Sequence, residues 1–351
     1  MTQKELNVLW IVPGFAADEQ DYNCIPPLQD LARELSMAGV TLFILALDYP
    51  YHTNPYLWHG IPVQSANKRN RRWGRVWYWR RLIHYANKIQ QERRITSIHS
   101  FWLGPCWLIG HYLARKWAIP HRTTLMGQDV LPSNPYLKLS RYLGHNYLVA
   151  LSAFHQKILA ESGGKADIII PWGLPASFPQ FHNQKKTIDI LGCGSLITLK
   201  NWTLWLEVVT ELCAKYPHLR TELIGAGPER ETIIKHIISS GLENQVILRG
   251  ELPRQGVWQK MAETKILLHT STFESYGMVL AEAYALGCHV VSTPVGIVPE
   301  MARCGNTKDE LVEIINEILI HPQLKKFYPP FSIQNTAGKY LQLYQEKIPL
   351  L

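Results

Sequence analysis

Short apolar runs, often β-branched, alternate along this chain with stretches whose apolar positions recur at helical spacing. In the second half the alternation is regular. Ile188–Leu191, Thr221–Ile224, Val246–Leu248, Ile266–His269 and His289–Ser292 read as strands. Between them Asn201–Lys215 reads as an amphipathic helix, and GAGPE (residues 225–229) opens another that runs to about Ser239. Short apolar strands alternating with helices mean βαβ units on a parallel sheet. The first half repeats this less regularly, with strands expected at Val8–Val12, Thr41–Leu45, Ile95–Ile98, Arg122–Met126 and Tyr147–Leu151. The Pro-rich, polar stretch PWGLPASFPQFHNQKK, residues 171–186, separates the halves. The expected fold class is therefore α/β, with two Rossmann-like domains facing across a cleft. In such sheets ligands sit outside the carboxyl ends of the strands.

At 351 residues, 46% hydrophobic and 18% charged, the chain has room for two ordinary domains. Six cysteines (Cys24, Cys106, Cys193, Cys213, Cys288, Cys304) form no CxxC pair. This argues against a zinc site or a disulfide framework and fits a reducing cytosol. Ile95–Ala114 carries no Asp, Glu, Lys or Arg, but its His, Ser, Pro and Gly residues favour strand–loop–helix over a membrane span. The N-terminal MTQKELNVLWIVPGF reads as a buried first strand, not a signal peptide.

Charge changes this picture in one place. Residues 1–180 hold 19 Lys and Arg against 11 Asp and Glu, a net +8, whereas the remainder is neutral. Ten of those cations lie in residues 67–94, with a single acid, Glu92. Val76, Trp79, Ile83 and Ala86 fall at helical spacing, leaving Arg72, Arg75 and Arg80, with Trp73 and Trp77, to face outward or sideways. A basic, aromatic face suits an anionic membrane surface, and a solvated helix is its equal rival. No RNA-binding motif accompanies it, so nucleic acid is not expected as a partner.

Candidate chemistry gathers in FESYGMVLAEAYALG, residues 273–287. Glu274 precedes Gly277, and Glu282 lies within an apolar helical pattern, where a solvated glutamate is out of place. Backbone amides at a helix start suit an anion, while carboxylates suit vicinal hydroxyls. Three other loops follow strands: GCGSLITLKN with Lys200, GAGPE, and RGELPR at 249–254. GAGPE lacks the third glycine of a dinucleotide fingerprint, and a tight turn is the better reading of Gly225. Together the loops offer helix starts and one lysine, a diphosphate cradle.

The run from Ile190 to Met301 resembles the nucleotide-binding half of the retaining glycosyltransferases of family 4, which have the glycosyltransferase B fold. GSLITLKN, ELIGAGPERE, VILRGELPR, ILLHTSTFESYGMVLAEAYALG and HVVSTPVGIVPEM carry the likeness, and Glu274 and Glu282 form the family's E-x7-E pair. More loosely, LVALSAFHQKIL and IIIPWGLPASF resemble the end of that family's first domain. The resemblance implies domains at 1–172 (acceptor side) and 173–325 (nucleotide sugar), with a helix in 326–351 crossing back onto the first. It implies a donor site of Ser195, Lys200, Gly250, Leu252, Glu274, Gly277, Met278, Val279 and Glu282. Within it Glu274 meets the transferred sugar, Glu282 the ribose, and Lys200 with the helix-start amides the diphosphate. Glu274, His99 and Lys200 are the catalytic candidates, and Gly14, Gln128 and Asp129 the acceptor-side ones. No metal or cofactor is implied.

The implied activity is retaining transfer of a sugar from a nucleotide-diphosphate sugar to a saccharide or lipid-linked saccharide, in cell-surface polysaccharide or glycoconjugate synthesis. The implied setting is the cytoplasm, at the inner face of the membrane. A nucleotide-sugar epimerase of the same fold and a catalytically silent sugar-nucleotide-binding partner are the rival readings. The chain departs from the family's pattern at Ser195, where an arginine is usual, leaving Arg249 or Arg254 as substitute cations. It departs again at Gly127–Asp129, where a histidine is common, and at 301–309, which looks too short for an extra strand.

Overall fold

The structure, a computed structural model, describes residues 6–67, 75–144, 147–181, 184–321 and 331–346. The chain divides into two compact units, Met1–Ala176 with Phe331–Leu351, and Ser177–Pro330.

The first unit is built on strands β1 (Asn7–Gly14), β2 (Thr41–Tyr49), β3 (Tyr56–Trp58), β4 (Ile61–Ser65), β5 (Ser97–Phe101), β6 (His121–Thr124), β7 (Tyr147–Ala150) and β8 (Ile168–Ile169). Their order is β3-β4-β2-β1-β5-β6-β7-β8, parallel except for the β3–β4 hairpin. That hairpin was not legible as an apolar run. Its cue is the two-residue turn His59–Gly60, both with positive φ, as such tight turns require. Strand β5 begins at Ser97, not at Ile95, because β1 pairs Val8 with Ser97 and Ile11 with Ser100. Ile95 is buried beside the strand instead.

Alternation along β1 assigns its two faces. Leu9 and Ile11 pack with Leu82, Ala86, Ile109 and Leu113 of helices Arg75–Arg93 and Pro105–Trp117. The inner face of the basic helix is therefore set by Leu82 and Ala86, with Trp79 and Ile83 half-buried beside them. Trp77 stays 76% exposed. Lys68, Arg69, Arg71, Arg72 and Trp73, part of the same basic stretch, lie outside the described residues. Trp10, on the opposite register of β1, donates its Nε1 to Tyr344 Oη (3.1 Å) of the C-terminal helix Ile333–Gln345. That helix is part of the first unit and buries Tyr340 and Tyr344 in it.

The second unit carries β9 (Ile188–Cys193), β10 (Thr221–Ile224), β11 (Val246–Gly250), β12 (Thr264–His269), β13 (His289–Ser292) and β14 (Arg303–Cys304). The order is β11-β10-β9-β12-β13-β14, parallel throughout. The two-residue β14 corrects the expectation of no extra strand in 301–309. Its backbone pairs with Val291 and Ser292, and so short a strand leaves no apolar run to read. Numbered within the unit, the order is 3-2-1-4-5-6. The chain reverses direction across the sheet between β9 and β12, and ligands bind at such a switch point.

Candidate functional site

The loops after β9 and β12 meet at that switch point. The β9 loop passes through Gly194–Ser195 into a short turn, Thr198–Lys200, and then helix Trp202–Lys215. Hydroxyls of the β12 loop hold this turn by its carbonyls. Thr270 Oγ1 donates to Lys200 O (3.1 Å) and Asn201 O (3.0 Å), and Ser271 Oγ to Leu199 O (3.0 Å). The start of the TSTFES segment is thus fixed relative to Lys200.

Lys200 Nζ forms an ion pair with Glu274 Oε1, and both side chains are only about 15% exposed. His269, which ends β12, places Nε2 3.0 Å from the same oxygen. Burial alone would raise the Glu274 carboxyl. The His269 hydrogen bond and the Lys200 charge overcome it and hold the carboxyl at about 2. Burial also lowers His269, against the pull of Glu274, so a neutral imidazole donates to an ionised carboxylate. His269 is a site residue that motif reading passed over. Its cue is a histidine closing an otherwise apolar strand.

Gly277 caps the helix Met278–Ala285 with φ 87, and a Cβ there would also overlap Leu280. Only glycine takes up this conformation without strain. The first two amides of this helix, Met278 and Val279, precede its first internal hydrogen bonds, which Leu280 N and Ala281 N donate to Gly277 O. Glu282, on the next turn, is 8% exposed. Arg254 Nη2 lies 3.4 Å from Glu282 Oε1, and its guanidinium stacks 4.7 Å over the Trp258 ring. Arg249, the other substitute cation, is committed elsewhere, donating Nε and Nη2 to the Glu222 carboxylate at 2.8 and 2.6 Å. Ser195 is exposed, and its carbonyl accepts from Trp202 Nε1 at 3.1 Å. The structure thus gives each carboxylate of the pair its own cation, Lys200 for Glu274 and Arg254 for Glu282.

The remaining donor candidates, Gly250 and Leu252, lie at the end of β11 just before Arg254. Gly225 in GAGPE faces Gly194, and a Cβ there would overlap the Gly194 carbonyl oxygen. That glycine joins two loops, as Leu196 N donating to Ala226 O (2.8 Å) also does.

The first-unit candidates fare differently. His99 is fully buried. Its Nδ1 lies 2.5 Å from Tyr344 Oη and its Nε2 2.8 Å from Thr124 Oγ1, with Phe101 stacked on the ring. Burial, then the charges of Arg122 and His121, push it well below the usual histidine range. This corrects the catalytic assignment of His99. The strand's side-chain alternation turns it into the core, against the C-terminal helix. Asp129 is also no acceptor contact. Its buried carboxylate accepts from Leu103 N (2.8 Å), Gly127 N (2.7 Å) and Met126 N (3.2 Å). Burial pushes it up to about 6 against those three amides. Gln128 is exposed beside it, and Gly14 is buried at the end of β1. At the end of β5 Trp102 takes φ 84 and remains 38% exposed. For a bulky side chain that backbone costs about 1–2 kcal/mol.

Among the described residues no helix is long and apolar enough to cross a membrane.

Comparison with known proteins finds a family model that matches these loops. The family model for glycosyl transferases group 1 matches residues 175–326. The phosphatidylinositol N-acetylglucosaminyltransferase gpi3 subunit of Schizosaccharomyces pombe is 28% identical over 192 residues, 49% of this chain and 42% of that protein. The N-acetyl-alpha-D-glucosaminyl L-malate synthase of Bacillus anthracis is 26% identical over 157 residues, 40% of this chain and 39% of that protein. Each match thus spans less than half of the relative's length. Over nearly the whole chain the fold is that of sucrose-phosphate synthase from Thermosynechococcus elongatus, with a TM-score of 0.78 at 15% identity, covering 97% of this chain and 98% of that one. It is shared by Anabaena HepE, solved in complex with UDP and glucose, at TM-score 0.74 and 17% identity, covering 98% of this chain and 100% of that one. The fold is thus the glycosyltransferase B fold of those structures, and residues 175–326, which hold Lys200, Glu274 and Glu282, match the group 1 glycosyl transferases.

Proposed function

We propose that the chain is a retaining glycosyltransferase that moves a sugar from a nucleotide-diphosphate sugar to a saccharide or lipid-linked saccharide without a metal. The observation that carries this reading is the pair of cation-held carboxylates flanking one helix start at the switch point of the second sheet. Glu274 accepts hydrogen bonds from hydroxyls of the transferred sugar, and Glu282 from the vicinal ribose hydroxyls, because a carboxylate accepts two at once. The helix-start amides of Met278 and Val279 and the Lys200 ammonium take the diphosphate.

When the bond from anomeric carbon to phosphate oxygen breaks, the diphosphate leaves with the electron pair. Lys200 and the helix dipole stabilise that new charge. The acceptor hydroxyl attacks from the face the diphosphate leaves and passes its proton to it, which retains the anomeric configuration. His269 stays neutral and keeps Glu274 aimed. The Schizosaccharomyces pombe relative's name, which couples phosphatidylinositol with a sugar transfer, supports a lipid-linked acceptor. The UDP complex of the Anabaena structure supports a nucleotide-sugar donor.

A thermal-shift screen against UDP-, GDP- and ADP-sugars tests this reading. One nucleotide series is expected to raise the melting temperature of the second unit, by roughly 2–4 °C for each kcal/mol of binding for a domain of that size. No shift with any series would contradict it.

The basic helix Arg75–Arg93, with Trp77 and Arg80 exposed, supports a cytoplasmic enzyme held at an anionic membrane face. Each cation near such a surface contributes about 1 kcal/mol. Binding to vesicles is expected to rise with their content of phosphatidylserine. Equal partitioning onto neutral and anionic vesicles would remove this part of the reading.

A further inference from the structure

We propose that Trp102 is the floor of an acceptor subsite in the first unit, stacking on the C–H face of a hydroxylated six-membered ring, a sugar or a cyclitol. The inference rests on the transferase reading above. It deepens that reading by naming a residue that the likeness to known proteins does not supply.

Trp102 directly follows β5, and its N–H continues the ladder by donating to Thr124 O at 2.9 Å. The backbone then turns through φ 84, and the residue is 38% exposed at the carboxyl end of the strand. β5 lies between β1 and β6 in the sheet. The carboxyl ends of such strands are where these folds bind ligands. A chain that only had to leave the strand there would place a glycine, which takes that conformation freely. Strained backbone that persists on a bulky side chain marks a site where the side chain itself is needed.

The surroundings hold the ring still. One edge lies against Gly127, where an added Cβ would sit 3.6 Å from the six-membered part of the indole. The segments on both sides are fixed by Asp129, which accepts from Leu103 N and Gly127 N. Asn134 Nδ2 donates to Leu103 O (2.8 Å) and Asp129 O (2.7 Å). His155 Nε2 lies 3.0 Å from Gly127 O. A partly exposed indole on a rigid loop offers a flat apolar face at low entropic cost. Gln128, beside Gly127, adds an amide able to donate to and accept from hydroxyls. Apolar face plus planar amide is a match for a polyhydroxylated ring.

Saturation-transfer difference NMR on the full chain tests this with four probes: methyl β-glucoside, methyl α-mannoside, methyl N-acetyl-β-glucosaminide and myo-inositol. At least one is expected to receive saturation on its ring C–H protons from the wild type. Trp102→Leu keeps apolar bulk against Gly127 and is expected to weaken that probe about tenfold, whereas Trp102→Phe keeps most of the binding. The thermal shift given by nucleotide is read in the same samples. It reports the donor site and the fold, so the transferase reading stands or falls separately. Absence of transfer to every probe in the wild type, or unchanged binding in Trp102→Leu, would overturn the proposal.

Discussion

Lys200→Met is expected to lower turnover by about 10²–10³-fold, because it removes the cation aimed at the charge that develops on the leaving diphosphate. The same change strands a mostly buried carboxylate. Leaving one partner of such a pair unpaired costs about 3 kcal/mol, and urea denaturation will register it. The two effects separate in the double variant Lys200→Met/Glu274→Gln. It removes both charges, so most of the lost stability returns while turnover stays low. Were Lys200 a structural counter-ion alone, the double variant would turn over no more slowly than Glu274→Gln alone.

Acid titration offers an independent view of the same pair. Glu274 is held at about 2 against an ordinary glutamate value of 4.5, so its folded value is depressed. Its contribution to stability is complete above about pH 4.5 and is lost as the pH falls toward 2. The acid limb of the stability profile is expected to be shallower in Glu274→Gln.

Glu282→Gln carries the second large effect, on donor affinity and its dependence on ribose. Hydrogen bonds to a charged group contribute about 1.5–3 kcal/mol, so the dissociation constant should rise about tenfold to a hundredfold. The sharper readout compares the nucleotide chosen by the thermal screen with its 2′-deoxy form. The wild type should prefer the ribonucleotide, and Glu282→Gln should bind the two alike. Arg254→Met is expected to fall between them, because the carboxylate keeps its charge and loses the guanidinium that orients it. Calorimetric titration of the three proteins with both nucleotides measures this. Undiminished discrimination in Glu282→Gln would place the ribose elsewhere.

The second unit was legible in the sequence because its strands are short, apolar and separated by helical periods, and because Glu274 and Glu282 occur in an otherwise apolar segment. Their cations were only half legible. Lys200 stands out in its loop. The choice between Arg249 and Arg254 depends on which carboxylate each side chain reaches, and that is settled by packing across β10, β11 and the helix starting at Met278.

In the first unit the hydrophobic pattern misplaced the start of β5. Its strand carries Ser97, His99 and Ser100 indoors, and a buried polar residue looks like a functional one until its partners are known. Those of His99 are Tyr344, 245 positions away, and Thr124. No local window contains the first. Asp129 deceives for the same reason, since its partners are backbone amides that leave no trace in sequence. Trp102 was invisible as a site because its exposure and its positive φ are properties of the fold.

The most direct measurement is release of nucleoside diphosphate from a panel of sugar nucleotides by the purified full chain, wild type against Glu274→Ala. Slow release from one donor, accelerated by an acceptor and abolished in Glu274→Ala, is the expected result. Donor binding without release, with every acceptor supplied, would contradict the account and leave a sugar-nucleotide-binding protein in place of an enzyme.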